Sequence, residues 1–231
     1  MRESTNTSND NRILSALPDR AYQSLVPYLR RVELERGQVL YEPGEVVRQI
    51  YFPTNSIISL LNTTEEGWSV QLALVGEEGM VGLGGLLETK TMPYRAVVQI
   101  SGGALEMRSD AFSRAFQRHH SLSHHVLAHT HSLVAQISQS AVCNRFHSVE
   151  QRLARLLLSL HDRSEVDELP LTHDLISLLL GSRRPSVTIS AGALQKAGFI
   201  NWTRGQVSIL NRDALKTVTC ECYGIIRSSF G

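Results

Sequence analysis

The sequence predicts an α+β chain, β structure in front and helices behind, and three observations carry that prediction. Glycines punctuate residues 32–107 at Gly37, Gly44, Gly67, Gly76, Gly79, Gly82, Gly84, Gly85, Gly102 and Gly103. The runs between them, QIYF, SIISLL, WSVQLAL and AVVQI, are rich in β-branched and aromatic residues that favour a pleated surface. After Ser109 no glycine occurs until Gly181, so helix replaces strand. Residues 171–200 then carry the spacing of two helices joined by a tight turn, followed by a hairpin.

The elements follow in order. Residues 1–10 are polar with almost nothing to bury and read as a disordered tail, not a secretory signal. From residue 11 to about 30, Ile13, Leu14, Leu17, Tyr22, Leu25 and Leu29 have roughly helical spacing, interrupted by Pro18 and Pro27, which predicts short helices. Short strands with glycine turns predict a β-sandwich or jelly roll that completes a first domain over 11–109. Residues 110–145 predict a long helix with a break near His119. Leu127, Thr130, Val134, Ile137 and Ala141 fall at offsets 0, 3, 7, 10 and 14, an a/d seam suited to a second copy of the chain. Leu122, Val126 and Leu133 form a parallel stripe that can pack on the parent domain. Ser148 and Gln151 fit a capping box that opens the last domain, 146–231. An acidic loop over 163–169 ends at Pro170.

Charge locates a function. The net charge of +1 is close to neutral, and residues 1–147 hold 13 Lys/Arg against 14 Asp/Glu. Residues 181–216 hold Arg183, Arg184, Lys196, Arg204, Arg212 and Lys216 against Asp213 alone. A short basic segment in a neutral chain is the electrostatic footprint of a nucleic-acid reader. No apolar run reaches the roughly 18 residues of a membrane-spanning helix. Cys143, Cys220 and Cys222 are too few for a disulfide scaffold, and a reducing, cytoplasmic location follows. Cys220 and Cys222 form a CxC that no second cysteine pair completes, so they read as free thiols, and the expectation is no metal site and no required cofactor.

The segment LTHDLISLLLGSRRPSVTISAGALQKAGFI carries the helix-turn-helix pattern. Thr172 is placed to cap the first helix, Gly181 suits the turn and Pro185 suits the first turn of the second helix. Val187, Ala191 and Leu194 point inward and Gln195 outward. Arg183 and Arg184 then stand at the N-terminal end of the second helix, where one guanidinium can fork to a guanine and the other hold a phosphate. Ser186 and Thr188 offer short hydroxyls on the same element. Strands over 199–202 and 206–210, joined at Thr203-Arg204-Gly205, form a wing with Arg204 at its tip for a phosphate.

On these residues the chain resembles the Crp/Fnr family of bacterial transcription regulators. The resemblance runs from about residue 12 to 215, through LYEPGEVVRQIYFPTNSIISLL, EEGMVGLGGLL, the long helix and the helix-turn-helix. It implies a cyclic-nucleotide-binding-like β-roll, a dimerisation helix, a winged helix-turn-helix, and RNA polymerase as a partner. It places DNA contacts on Thr172, Arg184, Ser186 and Ile189. Pro185 and Ile189 stand where better-known members have Glu and Arg, which implies a different target sequence. An effector pocket would involve Gly82, Leu83 and Arg95. Leu83 replaces the ribose-binding Glu, and Arg95 is followed by Ala96 and displaced from the phosphate-binding position, so the usual cyclic-nucleotide signature is missing. No cysteine occurs in residues 1–30, so the family's N-terminal iron–sulfur signature is missing too.

Histidines crowd residues 119–131, where His120/His124 and His125/His129 are i,i+4 pairs. They read as partly exposed polar residues near a helix start. The expectation is a cytoplasmic homodimer that binds an inverted repeat in DNA, controlled by an unidentified effector or by its abundance, with no enzymatic activity. The alternative is a ligand- or metal-binding β-roll module acting through protein partners. A metal-dependent enzyme on the roll is disfavoured, because residues 32–107 contain no histidine.

Overall fold

A buried asparagine anchors the N-terminal unit. Asn11 Oδ1 accepts from the N–H groups of Ile13 and Leu14 and caps helix α1 (Arg12–Ser15). Its Nδ2 donates to the carbonyls of Pro53 and Gly79, tying the helix to the roll. The computed structural model describes residues 11–164 and 168–230, so the tail expected over 1–10 lies outside the described residues. Pro18 caps α2 (Asp19–Leu25), and Pro27 lies in the 3₁₀ turn that ends it.

Seven strands build the roll: β1 (Arg30–Leu34), β2 (Val39–Tyr41), β3 (Gln49–Pro53), β4 (Ile57–Thr63), β5 (Ser69–Val75), β6 (Arg95–Ile100) and β7 (Gly102–Arg108). All pair antiparallel, in two sheets ordered β1-β7-β3 and β2-β6-β4-β5. Alternating side chains fill the space between them. Ala96 and Val98 of β6 face inward with Ile50, Phe52, Leu60 and Met107. Phe112 of α3 (Ser109–Arg118) closes this core edge-on to Phe52, ring centroids 5.8 Å apart.

The chain kinks at His119, whose backbone is extended, and continues as α4 (His120–Phe146). Leu122, Val126 and Leu133 are buried in the roll's core. The seam beside them is open: Leu127 is 59% and Val134 58% exposed. Ile137 of the expected seam is half-buried and packs at the edge of the roll's core.

Ser148 and Gln151 form the capping box of α5 (Val149–His161). The buried leucines of α5 sit at the centre of a second core with Ile176 of α6 (His173–Leu180), Val187 of α7 (Arg184–Lys196) and Leu215 of α8 (Arg212–Val218). A small antiparallel sheet covers it, ordered β8 (Glu168–Pro170), β10 (Gln206–Ile209), β9 (Ile200–Thr203). The loop expected over 163–169 therefore ends as a strand paired to the wing, and residues 165–167 lie outside the described ones. The wing strands each differ by one residue from the expected bounds. Helix α9 (Cys222–Ser228) returns to pack on α4 and α5.

Ile57, Leu61, Leu74 and Ile100 from the outer face of the four-stranded sheet belong to this second core, so roll and C-terminal domain share buried surface. Across the same junction Arg163 Nε donates to Glu78 Oε1 at 2.7 Å. Among the described residues no helix is long and apolar enough to cross a membrane.

Candidate nucleic-acid interface

Local sequence sets the two crossed helices. Thr172 Oγ1 accepts from Leu175 N and caps α6. Gly181 ends α6 in the left-handed region at φ 55°, where a side chain would be strained and would press on Val70 of β5. Pro185 lies in the first turn of α7, where its missing N–H has no intrahelical partner to lose. Val187, Ser190, Ala191 and Leu194 are buried beneath α7.

What remains outward is the candidate reading face. Arg183, Arg184, Thr188 and Gln195 are exposed, and Ile189 is 74% exposed. Ser186 is half-buried beside them. Arg184 Nε pairs with Asp174 Oδ1 at 2.8 Å, which holds the guanidinium across the start of α6. Thr188 Oγ1 bonds the Arg184 carbonyl at 3.1 Å and lies 3.3 Å from His173 Nδ1. The His173 ring stands edge-on to Trp202 of the wing at 4.3 Å, and Gln195 Oε1 accepts from Trp202 N. His173, Asp174 and Trp202 thus brace this candidate face, a role that sequence spacing did not single out.

The wing tip is a two-residue turn, Arg204-Gly205, with φ of 51° and 79°. Two left-handed residues match the twist of the flanking strands. Gly205 lies against Thr172, so the wing tip stands beside the capped end of α6. Arg183, Arg184 and Arg204 therefore border one exposed surface, and neither Arg183 nor Arg204 has an ion pair among the described residues.

Residues 151–218 match the Crp-like helix-turn-helix domain family, and residues 31–119 match the cyclic nucleotide-binding domain family. The chain belongs to the Crp/Fnr family of transcription regulators. It is 25% identical over 215 residues to the global nitrogen regulator of Synechocystis sp., spanning 89% of this chain and 95% of the relative. In fold it is similar to a protein described as a Crp/Fnr-family transcriptional regulator from Eubacterium rectale, with a TM-score of 0.73, 15% identity, and coverage of 91% of this chain and 98% of that one. FixK2 from Bradyrhizobium japonicum gives 0.71 at 15% identity, covering 83% of this chain and 98% of that one.

Within this Crp/Fnr chain Gly82, Leu83 and Arg95, the residues expected in an effector pocket, have different surroundings. Gly82 holds a left-handed turn whose added Cβ would meet the Gln49 carbonyl oxygen at 2.7 Å, so its role is backbone clearance. Leu83 packs on the roll's core. Arg95 pairs with Glu42 at 2.9 Å, and alternation along β6 turns it away from the face that carries Ala96 and Val98. The interior there holds Tyr41 and Tyr94, ring centroids 6.3 Å apart, and burial pushes the Tyr94 phenol up to about 12. The Arg95 Nε is buried without a hydrogen-bond partner among the described residues. A cleft of about 450 Å³ lies between roll and C-terminal domain, lined by Arg12, Glu77, Asp162, Arg163, Tyr223 and Phe230.

Two further expectations are corrected. His129, expected to be partly exposed with its neighbours, is a core residue hydrogen-bonded to Met80 of the roll. The CxC is not isolated from other donors. Helix α4 brings Cys143 and His147 against Cys220 and Cys222, a partnership invisible in their spacing.

Proposed function

We propose that this Crp/Fnr regulator acts in the cytoplasm as a homodimer on an imperfect inverted repeat, one α7 per half-site. Half-sites would then lie about one helical turn, roughly 34 Å, apart. The observation that carries the reading is the outward face of α7, with Arg183 and Arg184 at its N-terminal end and Arg204 on the wing beside it. Arg184 would fork to a base, Ile189 would meet a thymine methyl, and Thr172, Ser186, Thr188, Arg183 and Arg204 would hold phosphates or base edges. The exposed stripe of Leu127, Val134 and Ala141, extended by Val142 and Phe146, supports pairing along α4. Thr130 flanks that stripe half-buried. Output through RNA polymerase, and control by an effector or by abundance, complete the reading.

Selection of duplex DNA from a random library by the purified protein tests it, with Arg184→Ala as comparison. The wild type should enrich an inverted repeat. The variant should lose discrimination at one base pair per half-site, a cost of about 1–3 kcal/mol. No enrichment at low salt, with metal ions and cyclic nucleotides supplied in parallel, would overturn the reading.

A further inference from the structure

Two distant stretches of chain meet where the long helix joins the DNA-binding domain. Cys143 and His147 stand one turn apart at the end of α4, and Cys220 and Cys222 flank the start of α9. Their three Sγ atoms and one ring nitrogen all lie within 4.8 Å of one another. Cys143 Sγ is 3.6 Å from Cys220 Sγ, and Cys222 Sγ is 3.4 Å from His147 Nδ1. A zinc tetrahedron with bonds of about 2.3 Å to sulfur and about 2.0 Å to nitrogen has edges of roughly 3.5–3.8 Å. Two edges of such a figure are therefore already formed. An iron–sulfur cluster interposes iron and sulfide between its cysteines and needs a wider cage.

The surroundings suit a bound cation better than plain thiol packing. His147 Nε2 lies 3.3 Å from Glu221 Oε2. A carboxylate there keeps the proton on Nε2 and leaves the Nδ1 lone pair aimed at the sulfurs, as metal-binding histidines require. Gln139 Nε2 reaches Cys222 Sγ at 3.1 Å, a donor placed for a thiolate. Three thiolates and one divalent cation leave one negative charge. Arg152 and Arg155, both buried on α5, face these thiols electrostatically, and each leaves its Nε without a partner among the described residues. The three cysteines also form a buried cluster of their own, apart from both apolar cores.

We propose that Cys143, His147, Cys220 and Cys222 form a mononuclear tetrahedral site for a thiophilic divalent cation, zinc first. The cation pins the end of α4 to the α8–α9 junction. His147 immediately precedes the cap of α5, so the same bond fixes the elbow between the long helix and the DNA-binding domain.

The full chain, purified under reducing conditions from zinc-replete cells and freed of loose metal by gel filtration, provides the test. We expect one equivalent of zinc per chain, and cobalt substitution should give the intense visible bands of tetrahedral thiolate coordination. Cys222→Ser and His147→Ala should lose the cation. Glu221→Gln removes the supporting carboxylate but no ligand, so it should keep the stoichiometry and lose affinity about 10–100-fold in chelator competition. Circular dichroism separates metal loss from misfolding, and Glu221→Gln carries the test if the ligand variants fail to fold. Three results would overturn the site: reduced protein that takes up no cobalt, metal content unchanged in folded Cys222→Ser, or iron recovered together with acid-labile sulfide.

Discussion

His129 shows how one side chain ties the long helix to the roll. It is buried, its Nε2 meets the backbone of Met80, and an added Cβ on Gly79 would come within 2.3 Å of its ring. Only glycine leaves room at that turn. Burial lowers the His129 pKa, against the smaller opposing pull of the Met80 hydrogen bond and the Glu78 charge. A histidine held neutral in the fold binds fewer protons than it does unfolded, so stability rises with pH in that interval. Its contribution is complete above the ordinary value of 6.5 and falls away as pH drops through that value toward the lowered one. Thermal unfolding between pH 8 and pH 5 should therefore slope less steeply for His129→Asn than for the wild type, with Asn also less stable at pH 8. Equal slopes would remove His129 from the pH dependence. The sequence showed a histidine-rich stretch but not which member is buried, because that depends on Gly79 arriving from a strand turn 50 residues earlier.

At the scale of the element, the helix-turn-helix and wing were legible because their determinants are local. A cap at Thr172, a left-handed Gly181, Pro185 in a first turn and a two-residue turn at Arg204-Gly205 all lie within short windows. Strand β8 was not legible, since three residues with a proline become a strand only by pairing with β10 about forty positions on. The four-donor cysteine cluster was hidden for the same reason, its halves being 77 residues apart. The wing separates fold from function at one residue. Arg204 holds a left-handed backbone that costs a branched-chain-free L-residue roughly 1 kcal/mol, and asparagine tolerates it better. Arg204→Asn should keep or slightly raise the unfolding temperature. If Arg204 holds a phosphate, the same variant should weaken DNA binding evenly across sequences and flatten the salt dependence by about one unit of slope. Fluorescence anisotropy over a salt series reads both, and an unchanged slope would place the wing tip off the DNA.

Across the whole molecule, an open apolar stripe on α4 contrasts with a closed junction at the end of α5. If the stripe pairs two chains, Leu127→Glu with Val134→Glu should yield monomer by sedimentation while leaving the roll's core intact, since both side chains point away from it. The junction is a different kind of contact. Glu78 and Arg163 are almost wholly buried, 7% and 10% exposed at the side chain, and they join the roll to the end of α5. Burial by itself would raise the Glu78 carboxyl; the Arg163 guanidinium and the hydrogen bonds outweigh it and hold the pKa below 4.5. Because the folded value is depressed, the stabilisation is present above 4.5 and is lost as pH falls through the folded value. Arg163 also donates to the Ser159 carbonyl and lies over the Phe230 ring, so it cannot swing out to water without breaking both contacts. Glu78→Gln strands that charge and should cost about 3–5 kcal/mol. Replacing both partners, as Glu78→Gln with Arg163→Met, should recover most of the loss, because no unpaired charge stays buried. Calorimetry distinguishes a lock between domains from a local contact. With the lock broken, the single transition should split into two, one for the roll and one for the DNA-binding domain. A single transition merely shifted downward would mean that the shared apolar surface of Ile57, Leu61 and Leu74 couples the domains without it.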